Sequence, residues 1–170
     1  MGLASALLLV PVAEAKWLTA FSNGIQVPIP DSYVESTKEE VAEYYEGGDL
    51  PILHAMSPDD VVEIAVFYHD DVELPDPVTG DIMNGMKQGY AGQIPTIKWA
   101  KHEIRNLGAK RAIYFEFSHT EDPDLPLTVV QIVFSQNGKM GMIQLAYDTP
   151  KAAETAPTIK KIVDNIKLAP

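Results

Sequence analysis

Two alternating apolar runs joined by Asn137-Gly138, spanning Leu127 to Tyr147, constrain the fold more than any other stretch. Asn-Gly favours a two-residue type I′ turn, because both central residues need positive φ, and so it predicts an antiparallel hairpin. A two-residue loop also fixes the register. Ile132 then faces Ile143, Val130 faces Leu145, Thr128 faces Tyr147 and Phe134 faces Gly141, all on one side. There the aromatic ring can cover the glycine gap. The other side pairs Val133 with Met142 and Gln131 with Gln144 and is more polar. A slip of one residue would interchange the two faces.

Other strands surround this hairpin. Val61 to His69 is apolar on both faces, with Val62, Ile64, Val66 and Tyr68 against Val61, Ala65 and Phe67, and reads as a central strand covered on both sides. Ile97–Arg105 and Lys110–His119 read as strands joined by Asn106-Leu107-Gly108, with Ile113, Phe115 and Phe117 on one face and Tyr114 and Glu116 on the other. Near the start, Trp17 to Phe21 and Ile25 to Val27 flank the turn signal Ser22-Asn23-Gly24, and Pro28 and Pro30 end the second strand. His54, beside Met56 in a further strand, reads as structural.

Three helices are expected. A capping box, Ser36 with Glu39 or Thr37 with Glu40, opens a short one with Val41, Tyr44 and Tyr45 on one face and Gly47-Gly48 as its left-handed stop. After a loop from Asp70 to Gly80, Thr79 or Asp81 caps a second helix running to about Tyr90, with Ile82, Met83, Met86 and Tyr90 inward. Its Gly85 and Gly89 each cost roughly 1 kcal/mol relative to Ala, which a close approach to the sheet would explain. A last helix carries Ile159, Ile162, Val163 and Ile166 at helical spacing, with Pro157 in its first turn and Lys160, Lys161 and Lys167 away from that stripe, in part near its C-terminal end. The fold class expected is α+β, with a mainly antiparallel sheet and a closing C-terminal amphipathic helix.

The apolar block Leu3–Val12 followed by Ala13-Glu14-Ala15 has the form that signal peptidase cleaves. Residues 1–15 therefore read as a signal peptide and 16–170 as a single domain, periplasmic or secreted. The block is too short to span a membrane, which takes about 20 apolar residues. No Lys or Arg precedes it, so a start further upstream, or a buried N-terminal helix or strand, stands as the alternative. No Cys follows it, which excludes a lipid-anchored lipoprotein.

Composition narrows function mainly by exclusion. Hydrophobic residues at 46% and charged residues at 22% suit a globular domain. The net charge of −11 disfavours nucleic acid and anionic membrane surfaces, which carry the same sign. With no cysteine there are no disulfides, thiolate metal sites or thiol catalysis.

The element order resembles the PsbP-like/DcrB-like superfamily, which also includes a Ran-binding nuclear factor. The residues carrying the resemblance are Phe21-Ser22-Asn23-Gly24-Ile25-Gln26-Val27-Pro28-Ile29-Pro30-Asp31-Ser32-Tyr33, then Lys139-Met140-Gly141-Met142-Ile143-Gln144-Leu145-Ala146-Tyr147, then the Pro157–Leu168 helix. The resemblance implies an α/β/α sandwich around an antiparallel sheet and a binding or assembly role in place of catalysis, and no family ligand or partner residue is carried over.

Chemistry-bearing candidates are few. His69-Asp70-Asp71 and His119 with Glu121 and Asp122 sit at strand ends, so His69, Asp71, His119 and Asp122 are the candidate metal ligands or acid–base groups. They would form one site only if their strands were neighbours. The bland reading of each cluster is a solvated strand end. Serines and threonines near loops lack an adjacent base, and no phosphate loop or G-x-S-x-G elbow occurs. Trp17 and Trp99 read as core, as do Met83, Met86, Met140 and Met142. The expectation is an exported, non-catalytic domain that binds a protein partner or assists assembly in the cell envelope. It needs no cofactor. Its alternatives are binding of a small hydrophobic ligand or divalent metal, and an enzyme using His and carboxylates.

Overall fold

The computed structural model describes residues 16–45, 48–120 and 125–170. In chain order the elements are β1 (Lys16–Ala20), β2 (Ile25–Ile29), β3 (Val34–Glu35), α1 (Lys38–Tyr44), β4 (Leu53–Met56), β5 (Val62–Glu73), α2 (Gly80–Gln93), β6 (Lys98–Leu107), β7 (Lys110–His119), β8 (Leu127–Gln136), β9 (Lys139–Asp148), α3 (Ala152–Asn165) and β10 (Lys167–Leu168). A 3-10 turn, Thr149–Lys151, leads into α3. Seven strands form one antiparallel sheet in the order β3-β4-β5-β9-β8-β7-β6. The other three form a smaller sheet, β1-β2-β10.

The β8–β9 hairpin sits inside the large sheet with the register its turn demands: Leu127 opposite Asp148, Ile132 opposite Ile143, Gln136 opposite Lys139. Asn137 and Gly138 have φ of 55° and 78°, the pair of positive angles that a type I′ turn requires. Gln131 Nε2 donates to Gln144 Oε1 at 2.8 Å across the strands, whereas the buried Gln131 Oε1 finds no partner among the described residues.

The sheet has helices on both faces. On one side Val62, Ile64, Val66, Tyr114, Val130, Ile132, Phe134, Ile143, Leu145 and Tyr147 pack beneath the small sheet and the Ile159, Ile162, Val163, Ile166 stripe. On the other, Ile113, Phe115, Phe117, Val129 and Val133 meet Ile82, Met83, Met86 and Tyr90 of α2, together with Trp99, Met140 and Met142. Each fully buried Val, Leu, Ile or Phe among them contributes about 1.5–3 kcal/mol by leaving water, and the half-buried α2 side chains less. Met83, Met86, Met140, Met142 and Trp99 are half-buried and pack against this second core. Trp17, expected in the core, is instead 37% exposed on β1, with Lys167 Nζ 4.6 Å from its ring.

Several boundaries differ from the sequence reading. β2 continues through Pro28 to Ile29, because β10 pairs only with Ile25 and Gln26 and leaves Pro28 without a partner on that side. β5 runs on to Glu73, past the point where a loop was expected, with an irregularity in its pairing to β9 between His69 and Glu73. The β6–β7 strands meet at Gly108-Ala109, with Gly108 at φ 63°. α1 uses Thr37 and Glu40 as its capping box and ends at Tyr45 without left-handed backbone. Gly47, its expected stop, lies outside the described residues. α2 is capped by Thr79 and extends to Gln93. Gly85 and Gly89 do not approach the sheet: a β-carbon on either would meet nothing within 4 Å. α3 begins at Ala152, so Pro157 is internal to it, and it has no basic residue in its last turn because Lys167 has already entered β10.

The signal-peptide reading concerns residues 1–15, which also lie outside the described residues. Among the described residues no helix is long and apolar enough to cross a membrane.

Candidate functional site

The small sheet and α3 leave part of the large sheet open toward its β6 edge, and a groove of about 720 Å³ results. Its floor is Tyr114, Glu116, Val130 and Tyr147, one wall is Lys101, Arg105 and Leu107, and the other is Ile159, Lys160 and Val163 of α3. Strand alternation places Lys101, Glu103 and Arg105 on the same face, opposite Glu116, Tyr114 and Ala112 of β7. Glu103 receives a hydrogen bond from Arg105 Nε and lies 3.1 Å from Lys101 Nζ. The Arg105 bond, with Lys101 adding to it, holds the Glu103 carboxyl below the usual carboxylate range. The Arg105 guanidinium also lies 3.6 Å from the centroid of the Tyr114 ring, a cation–π stack that fixes it over the floor.

Below it, Tyr114 Oη donates to Glu116 Oε2 at 3.0 Å. Burial, then the nearby Glu116 carboxylate, pushes both the Tyr114 and Tyr147 hydroxyls above the ordinary tyrosine range. The groove therefore presents Lys101 and Arg105, the tyrosine hydroxyls, the Glu116 and Asp164 carboxylates and an apolar wall.

A second groove, of about 600 Å³, lies at the opposite edge among Leu18, Ser36, Val41, Leu50, Ile52, Leu53 and His54. It borders a hydrogen-bonded chain that local sequence could not show. His54, 5% exposed, has Nδ1 2.7 Å from Ser36 Oγ and Nε2 3.3 Å from Glu63 Oε1. Tyr45 Oη donates to the same Glu63 oxygen. Burial and then this bond push the Tyr45 hydroxyl well above its ordinary range. Ser36 thus does have a base beside it, contrary to the sequence reading. Its own N–H bonds the His54 carbonyl at 3.1 Å, and the array ties α1, β4 and β5 together.

The strand-end candidates do not come together. β5 and β7 are separated by β9 and β8. His69 lies opposite Met140, which faces Ser135 of β8, whereas His119 lies opposite Leu127 at the far end of the same strand. Eight residues of strand put the two histidines roughly 27 Å apart along the sheet. His69 Nδ1 is 3.7 Å from the exposed Asp49 carboxylate and its ring stacks on Phe67. Asp71 is exposed in the irregular part of β5. His119 packs against the Phe117 ring, and Asp122 is outside the described residues. Among the described residues no three His, Asp or Glu side chains cluster as metal ligands.

Sequence reasoning missed the groove because its walls come from distant segments. One signal was nevertheless present. Residues 31–81 carry fifteen carboxylates and a single cation, Lys38, whereas 82–120 carry six cations and two carboxylates, Glu103 and Glu116. The fold puts the first segment at the β3-β4-β5 side of the sheet and the second at the β6-β7 side. Charge counted along the chain would have located a cationic edge on an acidic protein.

No protein-family model matches the chain, and no curated protein sequence matches it significantly. Solved structures do. Cyanobacterial PsbP (CyanoP) from Synechocystis sp. PCC 6803 matches over 96% of this chain and 98% of its own, at 10% identity and a TM-score of 0.60. LpqN, involved in cell envelope biogenesis of Mycobacterium tuberculosis, matches over 86% of this chain and 83% of its own, at 16% identity and a TM-score of 0.57. The Saccharomyces cerevisiae Ran-binding protein Mog1p matches over 92% and 96%, at 7% identity and a TM-score of 0.55. At these identities the likeness is one of fold, and the chain has the PsbP-like/DcrB-like fold that its element order resembles.

Proposed function

We propose that this chain is an exported, non-catalytic domain that binds a protein partner in the cell envelope, with the groove between α3 and β6 as the binding surface. On this reading residues 1–15 direct export and 16–170 act in the periplasm or outside the cell. The observation that carries the proposal is the groove itself, where Arg105 is locked over Tyr114 and faces the apolar Ile159 and Val163. Preordered Arg and Tyr side chains beside apolar surface are what protein interfaces concentrate. Fold alone does not fix function, but one structural neighbour works in envelope biogenesis and another binds a protein. Both roles accord with this reading.

The test is chemical crosslinking in the native host from a photoreactive residue at position 160, followed by mass spectrometry. One reproducible protein adduct, lost in an Arg105→Ala variant, is the expected result. No adduct, together with an unchanged envelope in a deletion strain, would overturn the proposal.

The apolar lining of the second groove favours a second reading, binding of a small hydrophobic ligand there. Native mass spectrometry of protein purified from its host decides it: a bound lipid-sized mass supports it, and the bare chain mass alone removes it.

A further inference from the structure

β6 ends the seven-stranded sheet, and among the described residues no strand pairs with its outer side. Ten residues of backbone, Lys98–Leu107, therefore present alternate N–H and C=O groups to solvent. The other end of the sheet offers no comparable template, because β3 is only two residues long.

The side chains of this open edge are cationic in a chain of net charge −11. β6 itself carries Lys98, Lys101, His102 and Arg105 against one carboxylate, Glu103. Its register with β7 places Lys98, Lys101 and Arg105 on the groove face, opposite Ser118, Glu116 and Ala112. On the α2 face Lys87 lies 5.5 Å from the Trp99 ring and 3.1 Å from His102 Nε2. An incoming strand would thus find Lys98, Lys101 and Arg105 on the groove side of β6, and Trp99 and Ile104 with His102 and Lys87 on the other.

We infer that an extended acidic polypeptide segment adds to β6 as a further strand, with Asp or Glu at alternate positions over Lys98, Lys101 and Arg105. The inference rests on the partner-binding reading and specifies the partner's chemistry. Main-chain hydrogen bonds supply affinity in such strand addition, and alternate side chains supply specificity. Edge lysines and the irregular pairing between Trp99 and Lys101 disfavour the pairing of two identical edges, since like charges would oppose each other across them. An acidic strand meets only Glu103 as a like charge on that face, and Arg105 and Lys101 already bind it. The edge is selective by charge.

The probe is a synthetic decapeptide alternating Glu and Val, compared with its Lys-Val counterpart, titrated into the full domain and followed by backbone amide NMR. The Glu-Val peptide is expected to shift β6 amides and slow hydrogen exchange at alternate residues of Lys98–Leu107. Its binding should weaken at high salt, because exposed charges are screened. Lys98→Glu/Lys101→Glu should lower its affinity by about tenfold or more, and Lys98→Gln/Lys101→Gln by less, with core resonances unchanged. No binding, equal binding of the Lys-Val peptide, shifts confined to surfaces other than β6, or salt-sensitive self-association in place of peptide binding would each overturn the inference. If the crosslinked partner is still captured by Lys98→Glu/Lys101→Glu, strand addition fails while partner binding stands.

Discussion

Phe134 lies so close over Gly141 that a β-carbon built on the glycine would come within 2.6 Å of the ring's Cε2 and Cζ atoms. The two residues are directly opposed in the β8–β9 register, three positions from the turn, and Phe134 belongs to the core shared with the small sheet and α3. Gly141→Ala forces either the ring or the strand to move, and overpacking of this kind costs about 1–3 kcal/mol. Urea denaturation should show that loss. Phe134→Leu frees the space, so the double variant should lose less than the sum of the single changes. Additive losses would mean that the ring does not occupy the glycine gap.

This pairing was legible in the sequence because Asn137-Gly138 sets it locally and the alternation on each side agrees. β10 was not. Leu168 forms a strand only because β2 and the β6–β7 turn, more than a hundred and about sixty residues earlier, meet it there. The groove was hidden for the same reason, since Arg105 and Ile159 share no local pattern. Ser36 and His54 are eighteen positions apart, and only the β3–β4 pairing brings them to hydrogen-bond distance. Pro157 was misplaced because a favourable first-turn residue could not reveal that α3 starts further back, after the 3-10 turn. The histidine clusters failed as one site on strand order, which depends on how hairpins assemble and not on the spacing within either cluster.

Gly108 holds the C-terminal strand in place. Its φ of 63° is left-handed, and a β-carbon there would lie 2.6 Å from the Leu168 carbonyl oxygen, which accepts from Ala109 N at 2.9 Å. Gly108→Ala should cost more than about 1 kcal/mol from the backbone conformation alone. It should also expose the Ala109 amide to rapid hydrogen exchange. Gly138→Ala at φ 78° has open space and serves as the control. Its exchange effect should stay at the β8–β9 turn. If both variants leave Ala109 protected, Leu168 does not depend on the glycine.

The α2 glycines make the opposite prediction. Gly85, Gly89 and Gly92 all lie in the helix, and a β-carbon on any of them meets nothing within 4 Å. Glycine there loses backbone entropy on folding with no packing gain. Each Gly→Ala change should therefore stabilise the domain by about 0.4–1 kcal/mol, read as a raised thermal midpoint. A lowered midpoint at Gly85 or Gly89 would restore the close-approach explanation that the structure removes.

Alkali should unfold the protein through its tyrosines. Tyr33, Tyr45, Tyr90, Tyr114 and Tyr147 all have hydroxyls pushed above the ordinary value of 10.0, first by burial. Below pH 10 both folded and unfolded chains keep these protons, so the groups leave stability unchanged. Above it the unfolded chain releases protons that the folded chain retains, and stability falls as pH rises toward the folded pKa values. Each such proton steepens the fall by at most about 1.4 kcal/mol per pH unit. Tyrosinate absorbance and loss of far-ultraviolet circular dichroism should consequently rise together. For Tyr90, burial against Trp99, Phe115 and Phe117 is the sole cause of the shift, so Tyr90→Phe removes one titrating group while keeping the ring contacts. The variant should show a shallower alkaline decline than the parent. Tyrosinate appearing near pH 10 with the circular dichroism intact would show that these hydroxyls reach solvent in the folded state.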